Sequence, residues 1–313
     1  MVGGVAVQHA GPGAGRPLTS ASAAVLVAAV GPDAGLGALL AALQSQDVPV
    51  DVVVADRTGR PPRDGVVSLS ADPRTSVYRL RRLALQACDA RYVLVTEDHC
   101  VPPPRWARTL IAALDADPGA VAAAGPVHDG RPEAAWDRAS FLVDYAPLLP
   151  DGSSRVRAVD ALPGMNTIYR REHLAAVLDE APDLFDDLWE LGVHRRLAAR
   201  GRFLRVPGAD IAHCKRWGAG HAIAQRFLQS RHVAGRRAAG LPLAGRIAWS
   251  VAAAGVPARI LPRVLGPAVS RGGVRGSRWL TTLPPLAALV GVWAAGEAVG
   301  ALLGPGTALE RVE

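Results

Sequence analysis

Two carboxylates and an imidazole follow directly after an apolar run in the first third of the chain. Residues 92–95 are apolar, Glu97, Asp98 and His99 come next, and three prolines at 102–104 force a loop. Ligands of open α/β sheets bind beyond the carboxyl ends of the strands. Oxygen and nitrogen ligands gathered there can hold a divalent cation against a phosphate. On an extended backbone Glu97 and His99 point away from Asp98, so a three-ligand site requires the loop to bend. The alternative is a solvated strand end, where acids are common.

Two more strand ends carry candidate ligands. Asp56 follows a second apolar run, where a carboxylate can accept hydrogen bonds from a ribose or a base. It also precedes Gly59, so an ordinary turn aspartate is the alternative. His213 ends a short strand-like run, as His99 does, and two imidazoles at separate strand ends can share one cation. A lone histidine is more often a structural residue.

Two segments later in the chain contain further candidates. Residues 162–171 combine a Pro-Gly turn with Asn166, Arg170 and Arg171, a set that can face an anionic or hydroxylated ligand. Residues 185–190 include Asp187 and Glu190 at the start of a predicted helix. Acids are favoured in the first turn of any helix, so these carboxylates do not by themselves indicate chemistry.

Hydrophobic periodicity predicts an α/β fold that positions these groups. Apolar runs at 23–30, 50–55, 66–70, 91–96 and 120–124 predict strands, and residues 36–46, 77–87 and 106–114 have helical spacing. Strands alternating with helices indicate a mainly parallel, Rossmann-like sheet flanked by helices. The arginines of residues 77–87 are predicted to form the polar face of a surface helix.

Bulk composition excludes few classes of protein. The formal charge of +7 suits phosphorylated or anionic partners, but all basic residues except Lys215 are arginines in an Ala- and Gly-rich chain. We find no nucleic-acid-binding module and few aromatic residues for base stacking, so no nucleic-acid partner is expected. Three scattered cysteines fit a reducing, cytoplasmic setting. Residues 1–20 are predicted to form a flexible leader without the pattern of a signal peptide.

The last third of the chain is apolar and basic. Residues 247–265 and 283–303 are dominated by Ala, Val, Leu and Gly, and the second stretch has the length of a bilayer span, interrupted only by Glu297. Basic segments before and between the two stretches favour the cytoplasmic side. We therefore expect residues 247–265 to lie at the interface or re-enter the membrane. Two helices buried against the catalytic domain are the alternative.

The order of these motifs resembles that of the family 2 glycosyltransferases, which have the GT-A fold. The resemblance covers residues 23–215 and rests on the Asp56 turn, the acidic strand end before Pro103 and Trp106, the segment 164–171, and an acid-rich helix that leads to Gly201 and His213. It implies a catalytic domain at 21–235, followed by an α-helical, apolar and membrane-associated region at 236–313.

The resemblance also implies roles for individual residues. Glu97, Asp98 and His99 stand where the family has Asp-x-Asp, which holds Mg²⁺ or Mn²⁺ on the donor diphosphate. His99 in place of a carboxylate favours softer cations. Asp56 matches the carboxylate that contacts the donor nucleoside. Counting back from Gly201 leads to Glu190 as catalytic base, with Asp187 as the second choice.

The function implied is inverting transfer of a sugar from a nucleotide diphosphate sugar to an acceptor hydroxyl. The processive Gln-x-x-Arg-Trp signature is not matched at Gln225, which predicts a single addition. The acceptor is expected to be a glycan or a lipid-linked molecule of the cell envelope, on the cytoplasmic side of the membrane. A catalytically inert, membrane-associated scaffold and a metal-dependent hydrolase of nucleotide sugars are the two alternatives.

Overall fold

The structure is a computed structural model that describes residues 22–31, 35–187 and 189–312. The predicted leader lies outside the described residues. Eleven strands occur among the residues described: β1 (Ala23–Ala29), β2 (Asp51–Asp56), β3 (Val67–Ser70), β4 (Tyr92–Glu97), β5 (Cys100–Val101), β6 (Ala120–Ala124), β7 (Val127–Asp129), β8 (Arg157–Val159), β9 (Thr167–Arg170), β10 (Arg202–Arg205) and β11 (Ile211–His213).

Helices connect most of these strands. The α-helices of the described chain are α1 (Gly35–Gln44), α2 (Val77–Gln86), α3 (Trp106–Ala116), α4 (Ala135–Tyr145), α5 (Arg171–Glu180), α6 (Leu184–Asp187), α7 (His194–Ala198), α8 (Ala219–Ala238), α9 (Leu243–Ala252), α10 (Val256–Ser270) and α11 (Arg278–Leu303). A π-helical turn, Trp189–Val193, lies between α6 and α7.

The main sheet has eight strands in the order β3-β2-β1-β4-β9-β6-β10-β8. β1 pairs in parallel with β2 and β4, and β6 pairs in parallel with β10. β9 is antiparallel to both of its neighbours, and β8 is antiparallel to β10. Every residue of β1 is buried, as a central parallel strand requires. The predicted mainly parallel α/β fold is therefore confirmed, and the antiparallel insertion of β9 is an addition to it.

The chain divides into two compact units. One contains the described residues up to Val127 together with Ser153–Ala212, and the other contains His128–Gly152 and His213–Glu313. The predicted domain boundary at residue 235 does not coincide with this division. The reason is that α4 and α8 pack with α11 inside the second unit, where Arg138 on α4 donates a 2.9 Å hydrogen bond to Thr282 on α11.

The second unit is built around α11. Gly296 and Gly300 allow α8 to approach closely, since a Cβ at either position would lie 2.0–2.2 Å from atoms of Ser230 or Arg231.

By length and composition α11 is the one described helix that could cross a membrane, but core helices of soluble proteins pass the same test. The apolar residues 247–265 do not form one helix, because a turn at Ala253–Gly255 separates α9 from α10. Glu297 is paired with Arg259 at 2.7 Å.

Candidate functional site

A turn at the end of β4 brings the three predicted cation ligands together. Asp98 and His99 form this turn between β4 and β5, so the backbone bends as a three-ligand site requires. Nε2 of His99 lies 3.2 Å from Oε2 of Glu97, and Nδ1 lies 2.9 Å from Oδ1 of Asp98. The imidazole is thus held between the two carboxylates and is buried.

Asp98 also ties the turn to the neighbouring strand. Its Oδ2 accepts a 3.1 Å hydrogen bond from the backbone N–H of Val30, just beyond β1. The start of α1 also lies close to this turn, since a Cβ on Gly35 would lie 2.7 Å from the carbonyl oxygen of Asp98. These contacts fix the turn against the carboxyl end of β1, which is where open α/β sheets bind ligands.

Arg81 links this turn to the candidate base. Its Nη2 donates to Oε1 of Glu97 at 3.0 Å, and its Nη1 donates to Oε1 of Glu190 at 2.5 Å. Burial lowers the pKa of the Arg81 guanidinium, but the charges of Glu190 and Glu97 outweigh it and raise the pKa above its ordinary value. Arg81 therefore remains a cation that holds two carboxylates of separate segments side by side.

The prediction of α2 as a plain surface helix was wrong at Arg81. Its side chain is 2% exposed, and it falls on the inward stripe of the helix with Val77, Leu80 and Ala84. An arginine at an apolar position of a helical pattern was the signal in the sequence, because buried charges are normally paired.

Glu190 lies in the π-helical turn, a local geometry that is often found at functional sites. Its carboxylate occupies the space beside Gly164, where a Cβ would lie 2.0 Å from Oε1. Burial, the charge of Glu190 and a hydrogen bond to it raise the pKa of the Tyr78 hydroxyl well above its ordinary value. The side chain of Glu190 keeps 28% of its surface exposed, so solvent and small molecules can reach it.

A buried aromatic cluster packs against the π-helical turn. The hydroxyl of Tyr169 lies 2.7 Å from Nε2 of His194 and accepts a 3.4 Å hydrogen bond from Nε1 of Trp189. Burial lowers the pKa of His194 to about 4, against a weaker raising effect of Glu190. His194 is therefore neutral near pH 7 and serves the packing of this turn.

Asp56 lies at the end of β2 beside a cleft. Its Oδ1 accepts hydrogen bonds from the backbone N–H and the hydroxyl of Thr58 at 2.5 and 2.6 Å, and its Oδ2 pairs with Arg60 at 3.3 Å. The cleft is also lined by Leu36 and Arg63. Asp56 thus shapes its own turn, as the alternative interpretation expected, and it also borders a concave surface.

The structure places Asn166 and Arg170 in packing roles. The buried amide of Asn166 accepts from Trp106 at 2.7 Å and donates to the carbonyl oxygens of Pro126 and Ala209. Arg170 pairs across from Tyr92, at the start of β4, whereas Glu97 lies at its end. The Arg170 guanidinium donates to backbone carbonyl oxygens around α3. A role for either residue in donor binding stays a prediction.

Asp187 and His213 are the two remaining candidates. Asp187 is the last residue of α6, one turn before Glu190. His213 ends β11, is buried, and packs its ring 4.8 Å from the centroid of Tyr145. A role for Asp187 as second choice of base, and for His213 as a cation ligand, stays a prediction.

Glu97 and His99 of the β4 turn fit a divalent cation through Oε2 and Nε2, whereas Asp98 lies on the Nδ1 side of the imidazole and orients it. Carboxylate oxygens and imidazole nitrogens are ligands of Mn²⁺ and related metals. The 3.2 Å between Nε2 of His99 and Oε2 of Glu97 is close to the edge of an octahedral site with ligands at about 2.1 Å. The same spacing also suits a direct hydrogen bond between the two groups.

Comparisons with known proteins agree with the architecture. The chain superposes on TarS (residues 1–349) of S. aureus, solved in complex with UDP-GlcNAc, with a TM-score of 0.51, 14% identity, and coverage of 88% of this chain and 90% of that one. It superposes on the mannosyltransferase PcManGT from Pyrobaculum calidifontis, solved with GDP-Man and Mn²⁺, with a TM-score of 0.54, 17% identity, and coverage of 88% and 87%. No protein-family model and no curated protein sequence matches the chain. The similarity shows that the chain shares the fold of these two proteins.

Proposed function

We propose that this chain is a glycosyltransferase that moves a sugar from a nucleotide diphosphate donor to an acceptor hydroxyl. The observation that carries the proposal is the link through Arg81, which sets a solvent-accessible carboxylate, Glu190, beside the acidic turn at Glu97. The similar structures support it, because one of those proteins binds UDP-GlcNAc and the other binds GDP-Man with Mn²⁺.

In the proposed reaction Glu190 is the general base. Its carboxylate removes the proton of the acceptor hydroxyl as that oxygen attacks the anomeric carbon on the face opposite the diphosphate. The bond between the anomeric carbon and the diphosphate oxygen breaks, the nucleoside diphosphate leaves, and the configuration inverts. Arg81 and Gly164 hold the carboxylate in place. Asp187 is the second candidate for the base.

The donor is proposed to lie between Asp56 and the β4 turn. Asp56 would contact the nucleoside, since it borders the cleft at the end of β2. Glu97 and His99 would hold a divalent cation, Mn²⁺ or Mg²⁺, with Asp98 and His213 as further predicted ligands. When bound, this cation would neutralise negative charge on the diphosphate.

We also propose membrane association through the second unit, with an acceptor that is a glycan or a lipid-linked molecule of the cell envelope. The apolar helix α11 and the apolar, basic composition of residues 236–313 support this part of the proposal. A single addition and a location on the cytoplasmic side of the membrane remain part of the same proposal.

Donor binding tests the proposal directly. The purified chain is screened for thermal stabilisation by UDP- and GDP-sugars, with and without Mn²⁺, because a ligand of the native state raises apparent stability. We expect stabilisation by one nucleotide class, strengthened by the cation. Absence of any stabilisation would favour the inert scaffold. Donor cleavage that no acceptor stimulates would favour the hydrolase.

A further inference from the structure

Helix α9 presents an apolar face to solvent. Leu243, Ile247 and Val251 are spaced four residues apart and are 65%, 47% and 71% exposed. Residues at this spacing lie on one side of a helix and span about 12 Å along it. None of the ten residues of α9 is buried. A continuous apolar stripe of this kind is unusual on a soluble surface.

The end of α11 extends this apolar surface. Arg246 of α9 donates a 2.9 Å hydrogen bond to the carbonyl oxygen of Ala301, so the two helices meet there. The next two residues, Leu302 and Leu303, are 37% and 68% exposed. We call Leu243, Ile247, Val251, Leu302 and Leu303 the docking face.

Basic and acidic residues are distributed unevenly along the chain. Residues 213–313 contain thirteen Lys and Arg against three Asp and Glu, whereas residues 1–212 contain 22 basic and 25 acidic residues. From 213 to 296 there is no acidic residue at all. Arg236 and Arg237 lie exposed at the end of α8, a few residues before α9. With residues 128–152 included, the second unit has 15 basic and 8 acidic residues, so the docking face sits in a unit of net positive charge.

We propose that the docking face binds the surface of an anionic bilayer, with α9 lying in the headgroup region. Apolar side chains flanked by arginines match a surface that offers both acyl chains and negative headgroups. A second copy of this chain fits poorly, because the same positive charge would face itself. A nucleic acid binds basic residues mainly through its phosphates, which would not cover an aliphatic stripe.

This inference rests on the membrane association proposed above. It makes α9 the membrane contact, at the surface of the bilayer, and does not require α11 to span the bilayer. α11 already packs closely on α8 at Gly296 and Gly300 and is bonded to α4 and α9. Insertion of α11 as a separate span would break those contacts. A peripheral contact leaves them intact.

Vesicle sedimentation with the full chain tests the inference. Vesicles that contain phosphatidylglycerol are compared with vesicles of phosphatidylcholine alone, at low and high salt. We expect binding to the anionic vesicles only, weakened by salt. The double variant Leu243→Ser with Val251→Ser should lose most of the binding, and Arg237→Gln should lose about fivefold. Val156→Ser, an exposed valine of the first unit, is the matched control.

Several results would overturn the inference. They are equal binding to neutral vesicles, unchanged binding of the folded double variant, and resistance of the bound protein to alkaline extraction, which would indicate a span. A change from dimer to monomer in the double variant, with lipid binding unaffected, would assign the face to a second copy. Because these positions are exposed, we expect the variants to fold, and Ile247→Ser repeats the test if the double variant does not.

Donor binding is measured in parallel without vesicles. Failure of vesicle binding with intact donor binding would reject the docking face alone. Failure of donor binding with intact vesicle binding would reject the transferase.

Discussion

Arg81 donates a 2.5 Å hydrogen bond to Oε1 of Glu190 while its other terminal nitrogen contacts Glu97. A planar guanidinium can hold two carboxylates in fixed directions, which a lysine ammonium cannot do from the same position. The relationship couples a residue of the π-helical turn to the acidic turn after β4. It holds the proposed base, Glu190, and Glu97 of the proposed cation site on one guanidinium.

Replacing Arg81 by lysine should show whether turnover needs only the positive charge at this position or also the geometry of the guanidinium. Arg81→Lys keeps a cation but cannot bond Glu190 and Glu97 together, so we expect a fall in kcat of about a hundredfold from misplacement of the base. Unfolding by urea should show a loss of about 1–3 kcal/mol from the broken charge-assisted hydrogen bonds. Arg79→Lys, on the exposed side of the same helix, should change neither quantity. Full activity of Arg81→Lys would contradict the positioning role.

A methyl group at position 164 should displace the candidate base. In Gly164→Ala the new Cβ would need the space of Oε1 of Glu190, so we expect kcat to fall about tenfold to a hundredfold with donor KM nearly unchanged. Gly220→Ala has open space and is the matched control. Equal kcat in the two variants would show that the position of Glu190 does not matter for turnover.

Stability should depend on pH through His194. Its pKa is lowered from 6.5 in the unfolded chain to about 4 in the folded one. Protons therefore bind the unfolded state first, and the stability present above pH 6.5 is lost as the pH falls towards 4. At pH 5 this loss amounts to about 2 kcal/mol.

Urea unfolding at pH 7 and pH 5 checks the His194 prediction. His194→Gln lacks the titrating group, so its free energy of unfolding should fall less between the two pH values than that of the original chain. His173→Gln, at a partly exposed histidine, should behave like the original chain. An identical pH dependence of His194→Gln and the original chain would contradict the prediction.

The imidazole of the acidic turn should set the choice of cation. Nitrogen ligands favour Mn²⁺ over Mg²⁺ relative to an all-oxygen set. In His99→Asp we expect the ratio of activity with Mn²⁺ to activity with Mg²⁺ to fall several-fold. His128→Asp, at an exposed histidine, serves as control. An unchanged ratio would remove His99 from the cation site.

Much of the fold could be predicted from apolar periodicity. The runs that predict β1, β2, β4 and β6 are buried parallel strands, and burial on both faces is what makes such runs continuous. The pattern did not show that β9 runs antiparallel between β4 and β6. Pairing direction depends on contacts between distant segments, which a local pattern does not contain.

The candidate site was predicted in part. The acidic turn and Glu190 were identified from the strand end and from the resemblance. Arg81 was missed, because its inward direction depends on two carboxylates that are 16 and 109 residues away along the chain. Arg170 and Asn166 have the polar groups of ligand-binding residues, but backbone carbonyl oxygens and Trp106 use those groups inside the first unit.

Substitution of Glu190 by glutamine is the most direct test of the proposed transferase. Glu190→Gln keeps the size of the side chain and removes its basicity, so turnover should fall by about 10²- to 10⁴-fold while donor binding persists. Glu172→Gln, at an exposed glutamate, should retain full activity. If Glu190→Gln turned over donor and acceptor at the rate of the original chain, with donor binding intact, Glu190 would not be the base.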